Sequence, residues 1–157
     1  MTKIMIQWAS KQANTLIVRK KLVDDVVFLK IFPGISDIVV KSILNIPNLK
    51  GVILETYGAG NAPNSENFIQ LLKNAIDKGI KIINVTQCES GRVLMGHYDT
   101  SLLLKKIGVI DGKDITSESA VAKLMYLLNE NLSTEDFKCF FEKSLRGEIT
   151  DISFLKV

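Results

Sequence analysis

The chain has 157 residues, 46% of them hydrophobic and 24% charged, which suits one soluble domain whose core needs neither disulfides nor a structural metal. Its 20 basic and 17 acidic residues leave a net charge of +3, and the one basic cluster, Arg19-Lys20-Lys21, runs into Asp24-Asp25 without interleaved aromatics, which argues against nucleic acid as a partner. Two cysteines, Cys88 and Cys139, and one histidine, His97, exclude a disulfide framework and a zinc site. Met1 to Ser10 lacks the apolar core of a secretory leader, and no apolar run reaches spanning length, so a reduced, cytoplasmic protein is expected, with no membrane contact, metal or cofactor.

The first twenty residues carry little patterning and read as an extended arm. Val26 to Ile31 is a nearly continuous apolar run closed by Phe32-Pro33-Gly34, the pattern of a buried strand. Ser36 is placed to cap a helix with Ile38, Val39, Ile43 and Leu44 at helical spacing. Gly51 to Glu55 repeats the strand pattern. The loop that follows is rich in glycine, and Phe68, Leu71, Leu72, Ala75 and Ile76 then form a helical stripe that stops at Gly79. Ile80 to Val85 is a third strand. Beyond it, Ser101 to Lys106 predicts a short helix, and Thr116 opens a longer one with Val121, Leu124, Met125 and Leu128 on one side. Ser133 caps a last helix with Phe137, Phe140, Phe141 and Leu145 as a core stripe.

Strands alternating with helices predict an α/β fold: three layers, a mostly parallel open sheet flanked by helices in the Rossmann or flavodoxin manner, and a C-terminal part that is mainly helical. In such sheets ligands gather beyond the carboxyl ends of the strands, which directs attention to the loops after Ile31, Leu54 and Val85.

The loop Leu54-Glu55-Thr56-Tyr57-Gly58-Ala59-Gly60-Asn61-Ala62-Pro63 concentrates two of the chain's 10 glycines and one of its 3 prolines. Gly58 and Gly60 suit positive φ or the close approach of a ligand or another chain, and a plain crossover turn uses glycine equally well. A nucleotide site is excluded by spacing, because Pro63 stands where the third glycine of the dinucleotide fingerprint belongs and no Walker lysine follows. Nucleophilic catalysis lacks its parts: Cys88 follows a strand, but the only histidine is nine residues on. His97-Tyr98-Asp99 places an imidazole beside a carboxylate in sequence, where a surface turn is the simpler reading.

Six segments, in order, carry a family resemblance: IFPGIS (Ile31 to Ser36), YGAGNAP (Tyr57 to Pro63), GIKIINVTQC (Gly79 to Cys88), SGRV (Ser90 to Val93), GVIDGKDITSESAVAKLMYLL (Gly108 to Leu128) and LRGEIT (Leu145 to Thr150). Together they resemble the C-terminal domain of bacterial cytoplasmic, type I L-asparaginases. The resemblance implies that residues 26–157 form this domain and residues 1–25 an arm or linker remnant. It covers only half of such an enzyme, whose threonine nucleophile belongs to a Thr-Gly-Gly-Thr motif in the other half. This chain contains neither that motif nor Thr-Asp-Thr, so no catalytic residue is assigned here and the isolated chain is expected to be an inactive part of an amidohydrolase.

In the family the active site lies between subunits, and the glycine-asparagine loop of one C-terminal domain reaches toward the amino acid bound on a neighbour. The resemblance therefore implies substrate-binding roles for Tyr57, Gly60 and above all Asn61, whose amide would meet the α-carboxylate or the α-amino group of L-asparagine or L-aspartate. It implies as partners the protein's own N-terminal domain and further copies in a homo-oligomer. Some type I enzymes bind asparagine at a second, regulatory site, matched here by Glu55, Thr86, Gln87 and Cys88. Glu55 stands where regulated members have an arginine, a reversal that repels a carboxylate and favours pairing with a neighbouring cation. A stand-alone α/β module that binds a small amino acid without catalysis is the competing expectation.

Overall fold

A computed structural model describes residues 20–96 and 99–150 of the chain. The expected arm up to Arg19 and the pair His97-Tyr98 lie outside the described residues, as does the side chain of Asp99. The elements run β1 (Val26–Lys30), α1 (Asp37–Leu44), β2 (Gly51–Thr56), α2 (Glu66–Asp77), β3 (Lys81–Thr86), α3 (Asp99–Lys106), β4 (Ile110–Asp111), α4 (Ser117–Leu128) and α5 (Thr134–Glu142).

The four strands form one parallel sheet in the order β1-β2-β3-β4. Its register pairs Val26 with Gly51 and Gly51 with Lys81, so β1, β2 and β3 start level. Side chains alternate across the sheet as a period of two requires. Val52, Leu54 and Ile82 enter one core with Val40, Leu44, Phe68, Leu72 and Leu104 from α1, α2 and α3. Ile53, Ile83 and Val85 enter the other with Leu124, Leu127, Phe137 and Phe141 from α4 and α5. Both faces are thus covered, and the three-layer α/β architecture expected from the sequence is the one observed.

Four helices start on a hydroxyl cap. Ser36, Ser65, Thr116 and Ser133 accept from the amides of Val39, Phe68, Ser119 and Asp136 respectively, each relieving one of the donors that a helix leaves unpaired at its start.

Four features differ from the sequence-based expectation. β1, expected as a buried strand, lies at the edge of the sheet with Leu29 buried but Phe28 44% exposed. β4 has only two residues, Ile110 and Asp111, pairing with Ile83 and Asn84, a strand too short for any periodicity to reveal. In α1 the buried positions are Val40 and Leu44, while Ile38 is 76% exposed and Val39 43%; five apolar residues in eight leave the facing direction to the neighbours. In α5 Phe137 and Phe141 are buried, whereas Phe140 is 42% exposed, as an i, i+4 pair flanked by an off-face residue dictates.

The consecutive strand order has a consequence for function. Open α/β sheets usually place ligands where the strand order reverses, and no reversal occurs among the described strands. Any site at the carboxyl edge must therefore be built by the loops themselves.

Candidate functional site

β2 ends at Thr56, and the chain then closes a tight turn. The Tyr57 amide donates to Asn61 O and the Asn61 amide to Tyr57 O, both at 2.9 Å, with the Gly60 amide also on Tyr57 O at 3.0 Å. The other carbonyls are taken as well. Gly58 O accepts from the Thr86 hydroxyl at 2.6 Å, Ala59 O from the Leu94 amide at 2.9 Å, and Gly60 O from Asn84 Nδ2 at 3.3 Å. Every carbonyl from Tyr57 to Asn61 is engaged, so this glycine-rich loop is pinned in one backbone conformation.

Gly58 and Gly60 have φ of +49° and +102°, values that L side chains resist. A Cβ on Gly60 would lie 2.8 Å from Val93 Cγ1 and 3.1 Å from Asn84 Nδ2. The close approach at this glycine is thus made by the chain's own Val93 and Asn84.

Two residues that the sequence reading passed over hold this loop from below. Asn84, fully buried, accepts from the Thr56 hydroxyl at 2.6 Å while its Nδ2 reaches Gly60 O. The Thr56 proton is shared with Val85 O at 3.1 Å. A signal existed: Thr56 and Asn84 are polar residues inside otherwise apolar strands, and a buried polar group is retained where it has a partner to satisfy.

Asn61 is half-buried, and its Oδ1 accepts from the Thr100 hydroxyl at 3.0 Å. Tyr57, also half-buried, packs against the core under α1 and α2. Asn61, Gly60 and Tyr57 are therefore brought together in one turn, with the Asn61 side chain held by Thr100 of α3.

Glu55, Thr86, Gln87 and Cys88 also come together, on the other side of the strand ends, where with Lys30 and Ser117 they line a cavity of about 290 Å³. Most of their polar atoms are engaged within the fold. Gln87 Nε2 donates to Ile31 O at 2.7 Å and Glu55 O at 2.9 Å, tying the ends of β1 and β2 together. The Thr86 hydroxyl, besides donating to Gly58 O, accepts from the Cys88 amide at 3.1 Å, which links this cavity to the Asn61 loop. Glu55 Oε1 accepts from Ser117 Oγ at 2.6 Å, and Oε2 lies 3.6 Å from Lys30 Nζ. Ser117 opens α4, whose N-terminal end carries partial positive charge, so the Glu55 carboxylate sits between that end and a cation. Among the described residues no group of three or more His, Cys, Asp or Glu is arranged to hold a metal ion, and no helix is long and apolar enough to cross a membrane.

Comparison with known proteins gives a consistent result. Residues 25–141 match the family model of the glutaminase/asparaginase C-terminal domain. Over 120 residues the chain is 48% identical to L-asparaginase 1 of Escherichia coli K12, covering 76% of this chain and 35% of that protein. It is 40% identical over 136 residues to the 60 kDa lysophospholipase of Mus musculus, covering 86% of this chain and 24% of that protein. The crystal structure of L-asparaginase I from Vibrio cholerae superposes with a TM-score of 0.83 at 39% identity, covering 90% of this chain and 42% of that one. The chain thus spans a quarter to a third of the length of these two curated relatives.

Proposed function

This chain belongs to the glutaminase/asparaginase C-terminal domain family, and from that premise we propose that it serves as the C-terminal domain of an L-asparaginase. The reaction adds water across the side-chain amide of L-asparagine and releases L-aspartate and ammonia. Its threonine nucleophile lies outside these 157 residues, which contain no Thr-Gly-Gly-Thr, in an N-terminal domain that is the chain's first partner. Residues 26–157 form the C-terminal domain, and residues 1–25 lead into it from that other half.

In this reading the chain completes the substrate side of a cytoplasmic homo-oligomer. Tyr57 and Gly60 shape the turn, and Asn61 offers its amide to an amino acid held on a neighbouring subunit. The observation that carries the reading is the pinned loop: every carbonyl from Tyr57 to Asn61 is engaged, so the backbone that carries Asn61 is held in one place and its ordering cost on binding is low. At the 290 Å³ cavity the Lys30 ammonium and the start of α4 already serve Glu55, a carboxylate where a regulatory asparagine site would need a cation for the ligand's carboxylate.

The test uses the purified chain with L-asparagine and L-aspartate. No ammonia is released by the chain alone, and in the oligomer reassembled with its N-terminal domain Asn61→Ala raises the KM for L-asparagine about tenfold; saturable binding of either ligand to the chain alone favours a stand-alone module. Turnover by the chain alone defeats the assignment of chemistry to another domain. An unchanged KM in the reassembled Asn61→Ala oligomer defeats its substrate role.

A further inference from the structure

We propose that Thr100 is a positioning residue for Asn61, turning the amide oxygen inward and the Nδ2 protons outward, so that Asn61 meets the carboxylate of an amino acid and not its ammonium group. The inference rests on the reading of Asn61 as a substrate contact and settles which of the two ligand groups it reads.

An asparagine side chain offers one acceptor and two donors in opposite directions. What it recognises depends on which end is committed elsewhere. Thr100 has a single hydroxyl proton, and it points at Asn61 Oδ1 across 3.0 Å. The acceptor end is thereby turned into the protein, and the donors face away. A hydrogen bond received at the oxygen also polarises the amide and strengthens the donors. Donors of this kind match a carboxylate, which only accepts; an ammonium only donates and needs the end that Thr100 holds. The inverse amide orientation, with Nδ2 donating to the Thr100 oxygen, reverses the selection.

Thr100 is itself well placed to impose this. It sits in the first turn of α3, between the loop and the core. Its neighbour Ser101 is fully buried and accepts from the Gly96 amide at 3.1 Å, and Leu104, one turn on, is fully buried in the first core. The backbone of Asn61 is fixed by its two bonds to Tyr57, so the side-chain torsions are the remaining freedom, and the Thr100 bond removes them. The two residues are 39 apart in sequence, and no local pattern joins them.

The experiment is magnetic resonance on the full labelled chain: wild type, Thr100→Val and Thr100→Ser. Three-bond couplings across the Asn61 side chain report one rotamer in wild type and in Thr100→Ser, and averaging in Thr100→Val, with the backbone spectrum preserved as a check on folding. One unchanged rotamer in Thr100→Val refutes the positioning, as does averaging in Thr100→Ser. Overhauser contacts that place the Nδ2 protons, and not the amide oxygen, against Thr100 refute the orientation. Two ligands, added to the labelled chain assembled with its N-terminal domain, then separate the charges: succinamate, which lacks the ammonium, and L-asparaginamide, which lacks the carboxylate. Succinamate is expected to shift the Nδ2 resonance at a concentration about tenfold lower than asparaginamide. The opposite order refutes the carboxylate assignment. A shift from neither ligand, with the rotamer results as expected, refutes the substrate contact of Asn61 and the carboxylate assignment with it, while the positioning by Thr100 stands.

Discussion

Replacing Glu148 by glutamine is expected to lower the stability of the chain by about 2 kcal/mol at pH 7, and by less than half of that at pH 3. Glu148 Oε1 accepts from Lys123 Nζ at 2.6 Å and from the Leu145 amide at 3.0 Å, and Oε2 accepts from the Arg146 amide at 2.6 Å. Against the burial that opposes charge, these bonds, led by the one from Lys123, hold the Glu148 carboxyl at about 2, below its ordinary 4.5. Lys123 is 6% exposed, donates also to Lys143 O at 2.6 Å, and lies 5.2 Å over the Phe141 ring. A buried ammonium deprived of its carboxylate is the costly product of the substitution.

At about 1.36 kcal/mol per pH unit, a carboxyl lowered from 4.5 to about 2 corresponds to a ceiling of about 3.4 kcal/mol. Both side chains are largely buried, 4% and 13% exposed, but glutamine keeps an acceptor for the Lys123 ammonium and the Leu145 and Arg146 amides, so about 2 kcal/mol is the expected loss. The sign follows from linkage. A carboxyl that is more acidic in the folded state stabilises it fully above the ordinary value of about 4.5, and that contribution is lost as pH falls through about 2. Urea unfolding of wild type and Glu148→Gln at pH 7 and pH 3 measures the gap directly, and a melting point lower by about 4–8 °C at pH 7 accompanies it. Equal midpoints at pH 7, or a gap of the same size at both pH values, refute the account. Lys123→Met combined with Glu148→Gln should recover part of the loss, because an apolar side chain of similar length leaves no charge stranded.

Other consequences are open to measurement. Gly112→Ala places a Cβ 2.5 Å from Asn84 O, beneath the loop that carries Asn61, and should cost about 2–4 kcal/mol in urea unfolding together with a displaced Asn61 resonance. Leu124→Ala removes a fully buried side chain that fills the space over Gly51 and should cost about 2–5 kcal/mol, whereas Ile38→Lys, at a position 76% exposed, should stay within about 0.5 kcal/mol of wild type. Burial raises the Asp111 carboxyl above its ordinary 3.8, so its contribution to stability is fully present below 3.8 and is lost as pH rises through the raised folded-state value. Asp111→Asn keeps an acceptor for the Lys113 amide and should match wild type near pH 3 and exceed it at pH 7; a deficit at pH 7 contradicts the burial effect.

Much of the local structure was legible before any coordinates. The hydroxyl caps at Ser36, Thr116 and Ser133, the stop at Gly79 and the apolar runs of three strands each depend on neighbours a few residues away, where composition and spacing hold the information. The Asn61 loop was legible as a place, because two glycines, an asparagine and a proline follow an apolar run at a strand end, although a plain crossover turn fits the same residues. Its internal bonding was not, since the groups that pin it, Thr86, Asn84 and Leu94, come from other parts of the chain.

Sequence alone therefore determined the helices and three of the four strands, the parallel α/β class and the family likeness, all of which rest on short-range preferences and ordered motifs. Tertiary structure decided which face of α1 is buried, the two-residue strand β4, the pairing of buried Lys123 with Glu148, and the direction in which Asn61 points its amide. These are settled by contacts between residues 25 to 39 positions apart or by competition among several apolar residues for one surface. A pattern read along the chain holds no record of them, because their energy exists only once the layers have closed.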